Sequence, residues 1–171
     1  IYFMGGETDP MEMALDTVYV KTALADVRAG AEVGAELVTQ VLLADAVQVI
    51  EQRGEWLYGQ VPDGYRGWLK KTFLVEAAFP QTCDLAMVTA PRAKLYREPS
   101  KKGVIVGEAL MGADLPLLQE KEAWVKVWLP GREGAWLLRQ KIEAWPGGRL
   151  GRQPKGEEII GAAERLRDAP Y

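Results

Sequence analysis

The sequence predicts an all-β protein built from two small barrels in tandem, followed by one amphipathic helix. Three observations carry that reading. First, Trp56 and Trp68 in EWLYGQVPDGYRGWL recur as Trp124 and Trp136 in AWVKVWLPGREGAWL, both 68 residues on and without a gap. The same shift places Val20 on Val88, Val27 on Leu95, Gln40 on Glu108, Leu42 on Leu110, Pro62 on Pro130 and Leu69 on Leu137. A register held that long marks two copies of one fold. Second, within each copy apolar residues form short or alternating runs separated by turn residues, the pattern of short strands. Third, helical spacing is strongest after Gly156, where Ile159, Ala163 and Leu166 form a stripe.

Taken in order, residues 1–14 read as an acidic, Gly-containing leader or linker, and residues 15–77 as the first barrel. Inside it, strands are expected at Glu36 to Leu43, Val47 to Glu51, Trp56 to Val61 and Tyr65 to Leu69. The breaks between them, Ala44-Asp45, Gln52-Arg53-Gly54 and Pro62-Asp63-Gly64, are turn-forming. Side chains alternate across a strand, so Leu57, Gly59 and Val61 share a face, with Trp56 and Tyr58 opposite. The second copy repeats this with Val125, Val127 and Leu129 inside and Trp124, Lys126 and Trp128 outside. Glycine at 59, where the other copy has Val127, is read first as ordinary drift between the copies, and otherwise as a tight spot or a ligand's approach to the backbone. Trp68 and Trp136 are expected to seal the barrel ends, and Trp56 and Trp124 to pack on a neighbouring strand. Trp128 is assigned to a face between the modules or against a further domain. Residues 78–84 form the linker, 85–145 the second barrel, and 146–171 a second linker with the helix. In that helix Gly156 is the N-cap, Glu157 and Glu158 open it, Arg165 and Arg167 close it, and Pro170 ends it.

Composition narrows the chemistry. The 171 residues carry a net charge of −3, which argues against a general nucleic-acid binder. No apolar run reaches the ~20 residues of a membrane-spanning helix. Residues 15–77 hold six Lys/Arg against nine Asp/Glu, whereas residues 85–144 hold ten against seven. Opposite signs would favour docking of the two copies, although salt screens exposed charges. The chain contains no histidine and one cysteine, Cys83. A Cys/His or Ser/His nucleophile pair therefore cannot be assembled within it, and the same absence excludes a zinc site of the usual kind. No cofactor and no metal are expected.

The repeat resembles the bacterial SH3-like domain. The residues that carry the likeness are Glu55-Trp56, Gly59-Gln60-Val61 and Gly64-Tyr65-Arg66-Gly67-Trp68, and in the second copy Ala123-Trp124, Val127 and Gly134-Ala135-Trp136. The segment GEEIIGAAERLRDAPY resembles the opening helix of the catalytic domain in NlpC-type cell-wall cysteine peptidases. Tandem SH3-like barrels before such a helix are the arrangement of gamma-D-glutamyl-L-diamino acid endopeptidases, which cut murein peptides. The resemblance implies that the closing helix belongs to an α+β peptidase domain lying outside this sequence. The chain would then be the recognition portion of such an enzyme and inert alone, because the thiolate and its base would sit in that domain. Cys83, in Thr82-Cys83-Asp84, lacks the Asp-Cys-Ser-Gly context of the family's nucleophile.

The resemblance also implies a substrate site. In relatives a Gly-Tyr-Pro-Gly-Trp loop faces the catalytic cleft, and its tyrosine closes the pocket around an N-terminal L-alanine. Tyr65 matches that tyrosine, with Arg66 in place of proline. A relative's glutamate that pairs with the free α-amine falls on Val38, and Glu36, two positions away and by strand alternation on the same face, is the candidate substitute. The implied partner is a murein peptide of the L-Ala-D-Glu-diamino acid type, met in the bacterial cell envelope or, in murein recycling, the cytoplasm. The rival reading is a stand-alone module that tethers to the cell wall or to a protein.

Overall fold

The computed structural model describes residues 16–81 and 84–148. The leader at 1–14, Cys83 and the helix read from Gly156 to Pro170 lie outside the described residues. The first module comprises β1 (Thr17–Val20), β2 (Leu24–Arg28), β3 (Leu37–Leu42), β4 (Ala46–Arg53), β5 (Trp56–Gln60), β6 (Arg66–Lys70) and β7 (Leu74–Val75), with a short 3-10 turn at Lys71–Phe73. The second comprises β8 (Leu85–Val88), β9 (Arg92–Tyr96), β10 (Ile105–Leu110), β11 (Asp114–Lys121), β12 (Trp124–Leu129), β13 (Arg132–Leu138) and β14 (Ile142–Trp145), with its own 3-10 turn at Arg139–Lys141. Each module is one antiparallel sheet, in the orders β3-β2-β6-β5-β4-β1-β7 and β10-β9-β13-β12-β11-β8-β14. Val20, Val27, Val47, Leu57 and Leu69, from five strands of the first sheet, all pack in one buried cluster. A single sheet can do that only by curling round its own inner face into a small barrel.

The repeat extends to irregularities. The β2–β3 register slips at Val38, and the β9–β10 register slips at Val106, its counterpart 68 residues on. A second slip falls at Ile50 between β4 and β5, and at Leu118 between β11 and β12. These bulges turn apolar side chains outward, which explains why Val38, Ile50 and Leu118 are exposed. The same shift relates Ala44, at φ 71°, to Gly112, at φ 90°.

Strand alternation holds as expected: Leu57, Val61, Val125, Val127 and Leu129 are buried. Gly59 is a tight spot. A Cβ there would lie 2.6 Å from Val47 Cγ1 and 2.8 Å from the Gln48 carbonyl oxygen. Its cross-strand partner Gly67 is equally confined, 2.6 Å from Val27 Cγ1. The second barrel fills these positions with Val127 and Ala135, and uses Ala86 and Ala109 where the first has Val18 and Val41. Bulk is thus redistributed between the two cores, the kind of exchange packed interiors tolerate.

The tryptophans correct one expectation. Trp68 and Trp136 are buried, but neither belongs to a core cluster. Gly67 and Leu69 point inward, so the period of two sends Trp68 to the outer face. There it packs on its cross-strand partner Tyr58, ring centroids 5.2 Å apart, and lies under the Arg53 guanidinium at 4.8 Å. Trp56 does meet the neighbouring strand β6, through Lys70, whereas Trp124 meets Tyr96 of β9, one strand beyond its neighbour β13.

Trp128 joins the barrels. It meets Tyr19 of β1 edge-on at 5.1 Å, and Phe79 of the connecting segment packs against both rings at 5.4 and 5.9 Å. Tyr19, Leu43 and Ala44 of the first module consequently belong to the same buried cluster as the second module's core. The ion pairs Arg28–Asp26, Arg53–Glu51, Arg92–Glu108 and Arg139–Glu120 each stay within one barrel. Aromatic and aliphatic burial, more than charge, builds the described contact.

Candidate functional site

The turn between β5 and β6 is the best-defined display surface on the first barrel. Val61 donates its N–H to the Tyr65 carbonyl at 3.0 Å, and Gly64 donates to the Val61 carbonyl at 2.9 Å. Gly64 sits at φ 88°, a conformation that costs glycine nothing. Asp63 completes the turn, its Oδ1 accepting the Tyr65 N–H at 3.1 Å. Its Oδ2 accepts from Thr39 Oγ1 of β3 at 3.3 Å, tying the turn to the neighbouring edge strand. These bonds fix the backbone beneath Tyr65 while its side chain stays in solvent, 57% exposed.

Beside it, β3 presents Leu37 and Val38, 47% and 37% exposed. Glu36 is also exposed and immediately precedes the strand. Its carbonyl accepts the Ala29 N–H at 2.9 Å. The bulge at Val38 interrupts the alternation, so strand period does not place Glu36 and Val38 on one face. The structure links the two predicted residues indirectly: Thr39 lies three residues after Glu36, and Asp63 two before Tyr65. Asp63 and Thr39 hold the turn beneath Tyr65, and sequence reasoning did not single them out. The Asp-Gly pair signals a turn, but the partner strand is a tertiary fact. The surface offers a phenol for packing and one hydrogen bond, an apolar strip, and a carboxylate suited to a cationic group. Among the described residues no cluster of His, Cys, Asp and Glu could hold a metal ion. No helix among them is long and apolar enough to cross a membrane.

Residues 27–74, from β2 through the first residue of β7, match the bacterial dipeptidyl-peptidase SH3 domain family. The first barrel is thus similar to bacterial dipeptidyl-peptidase SH3 domains. The Tyr65 turn and the bulged β3 edge both lie within the matched segment. The chain is also homologous to two gamma-D-glutamyl-L-lysine dipeptidyl-peptidases. One, from Bacillus cereus (strain ATCC 10987 / NRS 248), is 29% identical over 147 residues, 80% of this chain and 44% of the relative. The other, from Bacillus subtilis (strain 168), is 33% identical over 97 residues, 52% of this chain and 32% of the relative. The chain therefore spans less than half the length of these curated relatives. In fold it is similar to the crystal structure of an NlpC/P60 family protein from Bacillus cereus ATCC 10987. That similarity has a TM-score of 0.72 at 21% identity, over 87% of this chain and 63% of the other. The match to the SH3 family falls within the first of the two copies read from the sequence.

Proposed function

We propose that the two barrels form the substrate-recognition and positioning part of a murein-peptide cysteine endopeptidase of the gamma-D-glutamyl-L-diamino acid type. In this reading the Tyr65 turn of the SH3 domain faces the peptide, and hydrolysis belongs to a peptidase domain outside this sequence. The observation that carries the proposal is Tyr65 itself, exposed at the crest of a turn pinned by Asp63 and Thr39. Preorganisation of that kind lowers the entropic cost of ordering a binding group. The homologous dipeptidyl-peptidases supply the chemical class. Glu36 contributes a carboxylate beside Val38, so a free N-terminal amine on the peptide remains attractive without a glutamate in the strand itself.

The test is a chimera in which this chain replaces the matching portion of the Bacillus cereus relative, assayed on an L-Ala-γ-D-Glu-L-Lys peptide. Tyr65→Ala should raise KM about tenfold, equivalent to about 1.4 kcal/mol, with kcat little changed. Tyr65→Phe should recover the packing part of that loss. Glu36→Gln should reduce the preference for a free over an acetylated N-terminus. Unchanged KM in the Tyr65→Ala chimera would remove the proposed role of this turn.

A further inference from the structure

Each barrel carries a groove at the same place in the repeat, floored by its first tryptophan. The groove on the first barrel, lined by Asp26, Arg28, Val33, Trp56, Lys70 and Phe73, encloses about 170 Å³. The groove on the second, lined chiefly by Ser100, Lys101, Trp124, Leu138, Arg139 and Gln140, encloses about 570 Å³. The 68-residue shift puts Lys101 where the first copy has Val33, and Lys141 where it has the groove-filling Phe73.

The charges differ as much as the volumes. In the first groove Arg28 is consumed internally, by Asp26 at 2.6 Å and the Ala35 carbonyl at 2.8 Å, while Gln40 holds the other Asp26 oxygen at 2.9 Å. The loop above it, residues 29–36, contains Glu32 and Glu36 and no cation. The matching loop of the second barrel, 97–104, contains Arg97, Lys101 and Lys102 against Glu98. Its own turn bonds hold it: Ser100 N–H to the Glu98 carbonyl at 2.7 Å, Gly103 N–H to the Ser100 carbonyl at 3.0 Å, and Arg97 N–H to the Val104 carbonyl at 2.9 Å. Arg139, on the opposite wall, meets Glu120 only at 3.5 Å with both side chains about half exposed. So loose a surface pair is worth little and yields readily to a better acceptor. Tyr96 packs edge-on against Trp124 at 5.4 Å and fixes the indole, which remains half-buried with a face toward the groove.

We infer that the Trp124 groove binds an extended peptide bearing free carboxylates. The guanidinium of Arg139 matches a carboxylate in a planar fork, Lys101 supplies a second positive charge across the groove, and Trp124 with Leu138 takes the apolar backbone and side-chain stems between them. A neutral sugar chain fits less well, because it offers no counter-charge to Lys101 and Arg139. The site lies on the other barrel from Tyr65, and the inference stands independently of the role proposed for that turn.

Fluorescence anisotropy of the whole chain with a fluorescein-labelled alternating Gly-Glu octapeptide tests it, with the Gly-Gln octapeptide as neutral control. The expected result is saturable binding about tenfold tighter for the acidic peptide, weakening as salt rises. The double variant Lys101→Ala/Arg139→Ala, both at exposed positions, should lose about tenfold, and Trp124→Phe should lose less than Trp124→Ala. Trp56→Ala, in the first barrel's groove, should leave the affinity unchanged. Equal binding of the neutral peptide, no saturable binding, or indifference to the Lys101/Arg139 double variant would each overturn the inference. So would binding of a poly(glycerol phosphate) chain but not the acidic peptide, which would assign the groove to an anionic polymer.

Discussion

The turn between the fifth and sixth strands of the first barrel and its counterpart in the second began as one structure and now do opposite things. In the first barrel Val61, Pro62, Asp63, Gly64 and Tyr65 make an open turn with an exposed phenol. In the second, β12 runs on to Leu129 and β13 starts at Arg132, leaving the tight pair Pro130-Gly131. Gly131 sits at φ 72°, and a Cβ there would lie 3.0 Å from Val75 of the first barrel. One copy uses the turn to meet solvent, and the other to meet its twin. Duplication preserved the strand order and two of the bulges, although β12–β13 adds a third between Val127 and Leu129, while loop length decided which surface became available.

Five substitutions would break or sharpen that contrast. The largest effect is expected from Trp128→Ala, which empties the aromatic contact with Tyr19 and Phe79. Denaturant unfolding should show a loss of about 3–5 kcal/mol and a split into two transitions as the barrels uncouple. Next is Gly59→Ala, where the added methyl meets Val47 and the Gln48 carbonyl; a loss of about 1–3 kcal/mol is expected by the same measurement. The reciprocal Val127→Ala in the second barrel should cost a similar amount by the opposite route, a cavity instead of a clash. Asp63→Ala, which frees both the Tyr65 amide and the Thr39 hydroxyl, should cost about 0.5–1.5 kcal/mol and broaden the amide resonances of residues 62–65. Smallest is Tyr65→Ala, expected within about 0.5 kcal/mol of the parent stability because the side chain is exposed. A large destabilisation there would mean that the tyrosine supports the barrel and does not serve a ligand.

Much of this architecture could be read from the amino acids alone, for a physical reason. Short strands with inward alternation and Gly/Asp/Pro turns are local properties, so β3 to β6 came out within one or two residues of their observed ends. The repeat then carried the assignment to the second copy. What failed was tertiary. Trp68 was assigned to a barrel end, but only the confined Gly67 and the inward Leu69 reveal that it faces outward beneath Arg53. The bulge at Val38 follows from pairing with β2, which no local pattern announces. For Trp128 the outward alternation beside Lys126 points either to the other module or to a further domain, and its contacts are with Tyr19 of the first barrel and Phe79 of the connecting segment. The candidate site was half legible: the turn and Tyr65 followed from the motif, whereas the anchoring by Thr39 did not.

The aromatic clasp of Tyr19, Phe79 and Trp128 has an evolutionary corollary. Gene shuffling commonly trades small modules as independent beads, yet here neither bead can leave without stranding a large ring in water. The tandem should therefore be inherited as an indivisible block. Any rearrangement that reuses one half alone would need to replace these rings with polar side chains first.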